Sequence, residues 1–155
     1  MKTQHFDHII ILEDDQFFGN LLRFYLINHD LMNVKWYQDE DKCLQEFPNS
    51  GQCLVLIDHH LNHSNGIDMM KKIREKNIET KFVYISGQEY CNVAIHAMKE
   101  GAIEYIEKNK DALLRLGNTV KTLCKNPNAD TYTLFKMNQF LSPSRGQNSI
   151  GQQAS

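Results

Sequence analysis

Leu54-Val55-Leu56-Ile57-Asp58-His59-His60 is an apolar run of strand length that stops on one carboxylate. A run this short and rich in branched side chains reads as a strand buried on both faces, which belongs in a parallel sheet covered by helices. Asp58 would then stand at the carboxyl edge of the sheet, where open α/β folds bind ligands. A single aspartate after a strand also serves to cap or turn a loop. The functional reading gains weight from a second acidic cluster, Glu13-Asp14-Asp15, which closes another such run, His8 to Leu12.

Working outward, the same alternation repeats. Asp15 is placed to cap a first helix, and Phe18, Leu21, Leu22 and Tyr25 recur at helical spacing along one of its faces. Val34 to Tyr37 predict a second strand, and Asp39 to Phe47 a second helix stopped by Pro48 and the Asn49-Ser50-Gly51 turn. Beyond the polar loop His59 to Asn65, Gly66 opens a third helix with Met69, Met70 and Ile73 inward. Lys81 to Ile85 predict a fourth strand ending on Ser86-Gly87, and Val93, Ala94, Ala97 and Met98 the apolar face of a fourth helix terminated by Gly101. Ile103 to Ile106 give a fifth strand followed by Lys108, and Leu113, Leu116, Val120 and Leu123 mark a fifth helix to about Lys125. Five strands alternating with five helices imply right-handed βαβ units: a doubly wound five-stranded parallel sheet of flavodoxin-like order.

At 155 residues the chain is expected to form one domain, over residues 1–125, followed by a polar tail over 126–155. In that tail Tyr132, Leu134, Phe135, Met137, Phe140 and Leu141 form an apolar island without a clear period. It is expected to be a strap folded back on the domain, with a docking segment as the alternative, and the last dozen residues are expected to be disordered. A formal net charge of -2 argues against broad attraction to nucleic acid or a membrane surface. Cys43, Cys53, Cys91 and Cys124 are scattered without a CxxC pair, the pattern of reduced packing residues rather than a disulfide or zinc framework. Ile9 to Leu12 is too short for a secretory or membrane-spanning segment, so a cytoplasmic location is expected.

The predicted topology lines up Glu13 and Asp14, Asp58, the Ser86 hydroxyl and the Lys108 ammonium along one sheet edge. Carboxylates gathered this closely raise one another's pKa, and a cation resolves the repulsion. An all-oxygen donor set suits a hard ion, and Mg²⁺ is the expected one. Asp58 then keeps an oxygen free as a nucleophile, with a phosphoryl group as its natural electrophile. Mg²⁺, Lys108 and Ser86 supply the charge and hydrogen bonds such a group needs.

These residues, taken together, resemble the receiver domain of two-component response regulators over about residues 7 to 125. Glu13 and Asp14 are similar to the family's acidic metal-binding pair, Asp58 occupies the phospho-acceptor position, and Gly66 matches the glycine opening the third helix. Ser86-Gly87 resembles the pair that senses the phosphoryl group. Gly101-Ala102-Ile103-Glu104-Tyr105-Ile106-Glu107-Lys108 is similar to the family's signature, with Tyr105 as the switch aromatic and Lys108 as the phosphate-pairing lysine. The resemblance further implies a metal bond from the His60 carbonyl, with Glu13 acting through water and Asp14 directly. It places Gln88 and His60 at positions that tune phosphoryl lifetime. Two residues depart from the pattern: Asn109 replaces the usual cis proline after the lysine, and Asn62 a common proline after Asp58.

By this resemblance the chain is expected to be a phospho-acceptor switch that catalyses its own phosphorylation and dephosphorylation, rather than a turnover enzyme. Its donor would be a sensor histidine kinase or a histidine phosphotransfer protein. No DNA-binding or catalytic unit is recognisable after residue 125, so a stand-alone receiver is expected, signalling to a downstream protein without direct DNA or membrane binding and with dimerisation left open. Four alternatives stand beside it. Asp14-Asp15 could replace Glu13-Asp14 as the acidic pair, and His59, His60 and His63 could ligate a transition metal instead of forming a solvated loop. A phosphohydrolase would need a carboxylate two residues after Asp58, where His60 stands. A phosphorylation-independent scaffold would make the acidic pair, Ser86 and Lys108 superfluous.

Overall fold

The computed structural model describes residues 6–31, 33–87 and 91–141. Five strands, β1 (His8–Leu12), β2 (Val34–Tyr37), β3 (Cys53–Asp58), β4 (Lys81–Ser86) and β5 (Glu104–Glu107), form one sheet in the order β2-β1-β3-β4-β5. Every pairing is parallel. The helices are α1 (Gln16–Asn28), α2 (Glu40–Glu46), α3 (Gly66–Lys76), α4 (Cys91–Lys99), α5 (Ala112–Lys125) and α6 (Thr131–Leu141).

Strand alternation sorts the core into two layers. Ile9, Ile11, Leu54, Leu56, Val83, Ile85 and Ile106 face α1, α5 and α6. Ile10, Leu12, Val55, Ile57, Phe82 and Tyr84 face α2, α3 and α4. All six residues of β3 are buried, because it is the middle strand and helices cover both faces. Helix starts follow the local chemistry: Asp15, Asp39 and Asn65 each accept a backbone N–H three residues on, from Phe18, Lys42 and Asp68. At the other end of α4, Gly101 adopts φ +98° as the turn requires.

The apolar face of α1 buries Leu22 and Leu26, with Phe18, Leu21 and Tyr25 half-buried. Three expectations need correction. β5 starts one residue later than expected, at Glu104, whose buried carboxylate is held by Arg115 Nη2 at 2.6 Å. Cys91 is exposed, whereas Cys43, Cys53 and Cys124 are buried. The apolar island after Asn126 is helical: in α6, Leu134 is fully buried in the core, and Asn138 reaches Glu104 Oε2 at 3.2 Å and Thr119 Oγ1 at 3.4 Å. Gln88 and the last dozen residues lie outside the described residues. Among the described residues no helix is long and apolar enough to cross a membrane.

Candidate functional site

The ends of β1 and β3 are adjacent, with Leu12 opposite Ile57, so the residues that leave them, Glu13 and Asp14 on one side and Asp58 on the other, meet at the sheet edge. One carboxylate oxygen from each lies within 4.8 Å of the others. Asp15 is engaged elsewhere: its carboxylate caps α1 by accepting the Phe18 N–H at 2.6 Å, and its own N–H donates to Glu13 Oε1 at 3.1 Å. Of the two registers open in the sequence, Glu13-Asp14 is therefore the one that converges on Asp58.

β5 carries Lys108 to the same place. The Lys108 N–H donates to the Ser86 carbonyl at 2.8 Å, extending the parallel ladder by one bond past β5. Its Nζ then lies 2.7 Å from Glu13 Oε2 and 3.2 Å from Asp58 Oδ2, and 4.5 Å from the centre of the Phe18 ring. The Lys108–Asn109 peptide is trans, and the turn into α5 is made by hydrogen bonds instead. Asn109 N donates to the Glu107 carbonyl at 2.8 Å, and Asn109 Oδ1 accepts the Asp111 N–H at 3.0 Å.

Two of the three carboxylates are buried, and a single ammonium stands among them. Burial above all, opposed by the Lys108 hydrogen bond and reinforced by the Asp58 charge, pushes the Glu13 carboxyl up to about 7. The cluster is thus short of positive charge and offers only oxygen donors, which fits a hard divalent cation.

Asp58 Oδ1 accepts the His59 N–H at 2.8 Å, which fixes the carboxylate plane and leaves Oδ2 on the Lys108 side. Ser86 is fully buried at the end of β4, one residue past Ile85, the partner of Asp58 across the ladder. Tyr105 is half-buried on β5, its ring stacked on Tyr84 with centroids 6.1 Å apart and planes at 19°. His60 is exposed in the loop after β3, in an isolated bridge to Asn65. Gly66 is required by close approach: a Cβ there would overlap the Asp58 carbonyl oxygen and stand 2.8 Å from the Tyr84 hydroxyl.

The His59 and His60 rings meet edge to face with centroids 4.7 Å apart, but among the described residues the three histidines do not form a metal-ligand group. His59 is half-buried, its Nδ1 2.5 Å from the Tyr84 hydroxyl, while His63 is exposed and its N–H donates to Glu40 Oε2 at 3.1 Å. Burial, with the charges of His60 and His96 adding, lowers the His59 pKa. Two residues absent from the sequence reading shape this loop. Glu40, buried on α2, accepts from His63 and from Ser64 Oγ at 2.6 Å, and Tyr84 holds His59. A tyrosine inside a buried strand was the available signal, since its hydroxyl needs a partner.

The family model for the response regulator receiver domain matches residues 9–116. The transcriptional regulatory protein CiaR of Streptococcus pneumoniae is 29% identical over 100 residues, covering 64% of this chain and 44% of that protein. The photosynthetic apparatus regulatory protein RegA of Rhodobacter capsulatus is 26% identical over 133 residues, covering 77% of this chain and 67% of the relative. The chain therefore spans about half to two thirds of the length of these curated relatives. A two-component response regulator from Clostridium difficile shares the fold with a TM-score of 0.69 at 20% identity, covering 79% of this chain and 98% of that one. The matched region covers most of the chain and the parallel sheet is the receiver fold, so this chain belongs to the response regulator receiver domain family.

Proposed function

We propose that Asp58 accepts a phosphoryl group from a phosphohistidine on a sensor histidine kinase or a phosphotransfer protein, and that the chain signals through protein contacts governed by that state. The observation that carries this is the Lys108 ammonium between Glu13 and Asp58 within a cluster of three carboxylates. Asp58 Oδ2 attacks phosphorus in line as the phosphorus–nitrogen bond of the donor breaks, the electron pair returning to the imidazole. Lys108 pairs with a phosphoryl oxygen, and the His59 N–H, shared between Asp58 Oδ1 and the Ile85 carbonyl, orients the acceptor carboxylate. Mg²⁺ held by Glu13, Asp14, Asp58 and the His60 carbonyl would supply the remaining positive charge that the transferring oxygens need. Supplying this machinery itself, the chain promotes both its own phosphorylation and the later hydrolysis.

The readout runs through β4 and β5. The Ser86 hydroxyl turns toward the phosphoryl oxygens and Tyr105 turns inward, which reshapes the surface made by α4, β5 and α5. Carrying a minor active state from about 1% to a large majority requires a bias on the order of 5 kcal/mol, within reach of a doubly charged group facing a lysine and a divalent cation. Contact with a downstream protein, and not with DNA, is the output assigned to these residues, in keeping with their net charge of -2.

Radiolabelled acetyl phosphate with Mg²⁺ tests the acceptor. The wild-type chain takes up label that is lost on alkaline treatment, as an acyl phosphate is, and Asp58→Asn takes up none while keeping its circular dichroism spectrum. Undiminished labelling of Asp58→Asn overturns the assignment.

A further inference from the structure

Tyr84 is fully buried on β4, where a phenylalanine would fill the same space, so its hydroxyl calls for an explanation. That oxygen accepts the Ile67 N–H from the first turn of α3 and lies 2.5 Å from His59 Nδ1. The Tyr84 hydroxyl thus accepts from the Ile67 N–H while sharing its other hydrogen bond with His59 Nδ1. His59 and Ile67 are the two ends of the loop that leaves the acceptor. The loop closes on itself through Gly66 N donating to the His59 carbonyl at 2.9 Å and through the His60–Asn65 bridge. Glu40 holds only its far side, at His63 and Ser64.

We infer that the Tyr84 hydroxyl clamps both ends of the acceptor loop and so positions the His60 carbonyl for the divalent cation, making Tyr84 a positioning residue that never touches the phosphoryl group. This rests on the reading of Glu13, Asp14, Asp58 and His60 as the cation's holders. The ring of Tyr84 also stacks on Tyr105, so the clamp and the proposed switch aromatic share one side chain.

Tyr84→Phe in the full chain keeps the ring and removes only the hydroxyl. Amide hydrogen exchange should quicken in residues 59–67 and stay unchanged in β1 and β3. Mg²⁺ titration, followed by the emission of Trp36, should give a dissociation constant roughly tenfold weaker, as for loss of other groups that orient a metal ligand. Phe82→Leu, an equally buried change on the same face of the same strand, should lower stability but leave the Mg²⁺ constant at its wild-type value. Wild-type exchange and wild-type Mg²⁺ affinity in Tyr84→Phe overturn the clamp, as does an equal loss of affinity in Phe82→Leu. Absence of Mg²⁺ binding by the wild-type chain instead sinks the reading of the acidic cluster, and the exchange data then decide the clamp alone.

Discussion

Trp36 Nε1 donates a 2.9 Å hydrogen bond to the main-chain carbonyl oxygen of Glu13, tying the edge strand β2 to the acidic turn. It is the chain's single tryptophan, so its emission reports on that turn without mutation. Mg²⁺ binding should shift the emission along a saturable curve. Asp14→Asn removes one charged donor and should weaken the apparent affinity by roughly tenfold or more. An Asp14→Asn titration superimposing on the wild type would remove Asp14 from the site.

Gly19 lies against that same indole: a Cβ added there would stand 2.6 Å from Trp36 Cζ2, and closer still to two other ring atoms. Gly19→Ala gains about 1 kcal/mol of helix propensity. Overpacking a rigid ring costs about 1–3 kcal/mol, and Trp36 cannot retreat without giving up its bond to Glu13. The clash should win, with a net loss of up to about 2 kcal/mol in urea unfolding and a changed Trp36 response to Mg²⁺. Unchanged or raised stability would show that the ring has room to move.

What the sequence made legible was the part written in short runs of strand-forming side chains bounded by cap and turn residues. β1 and β2 have the bounds the residues predicted, and the order of the sheet follows from the alternation of strands with amphipathic helices. The convergence at the sheet edge was legible only as topology; that Lys108 bridges Glu13 and Asp58 depends on side-chain reach. β5 was placed one residue early, although Ile103 already donates its N–H to the Phe82 carbonyl at 2.9 Å, so the difference lies only at the fraying end of the strand. α6 escaped because its apolar residues face both ways: Leu134 points into the core while Tyr132 and Phe135 stay exposed, which blurs any helical period. The Tyr84–His59 bond joins residues 25 positions apart and leaves no local pattern at all.

Lys108 shares its carboxylates with any cation that enters the cluster. Lys108→Met keeps much of the aliphatic stem over Phe18 but leaves Glu13 and Asp58 without an ammonium. Stripping one partner from a buried ion pair costs about 3–5 kcal/mol, and partial exposure of Lys108 reduces that to about 1–3 kcal/mol here. The loss should appear in EDTA and shrink in saturating Mg²⁺. Because the competing positive charge is gone, Mg²⁺ affinity itself should rise severalfold while acetyl phosphate labelling falls. Weaker Mg²⁺ binding in Lys108→Met would mean that the lysine organises the carboxylates rather than competing for them.

Asp130 stands immediately before α6, where its Oδ1 accepts both the Thr133 N–H at 2.8 Å and the Thr133 hydroxyl at 2.6 Å. Those bonds favour the charged form and hold its pKa below the ordinary value of 3.8. A carboxyl depressed by folding contributes stability that is complete above its unfolded value and disappears as pH falls through the lower folded one. Below about pH 3.8 the first turn of α6 should therefore lose its cap while the sheet, sealed on both faces, persists. Leu134 then leaves the core with the helix, so its methyl resonances should move toward random-coil positions over that pH range. Asp130→Ala should produce the same shift at neutral pH and abolish the acid step, together with faster tryptic cleavage at Lys125 and Lys136. Asp130→Asn keeps an acceptor without the charge, and should hold α6 at neutral pH while flattening the acid step. A Leu134 signal that follows global unfolding alone, in every variant, would show that α6 is secured by its packing on α5 and not by this cap.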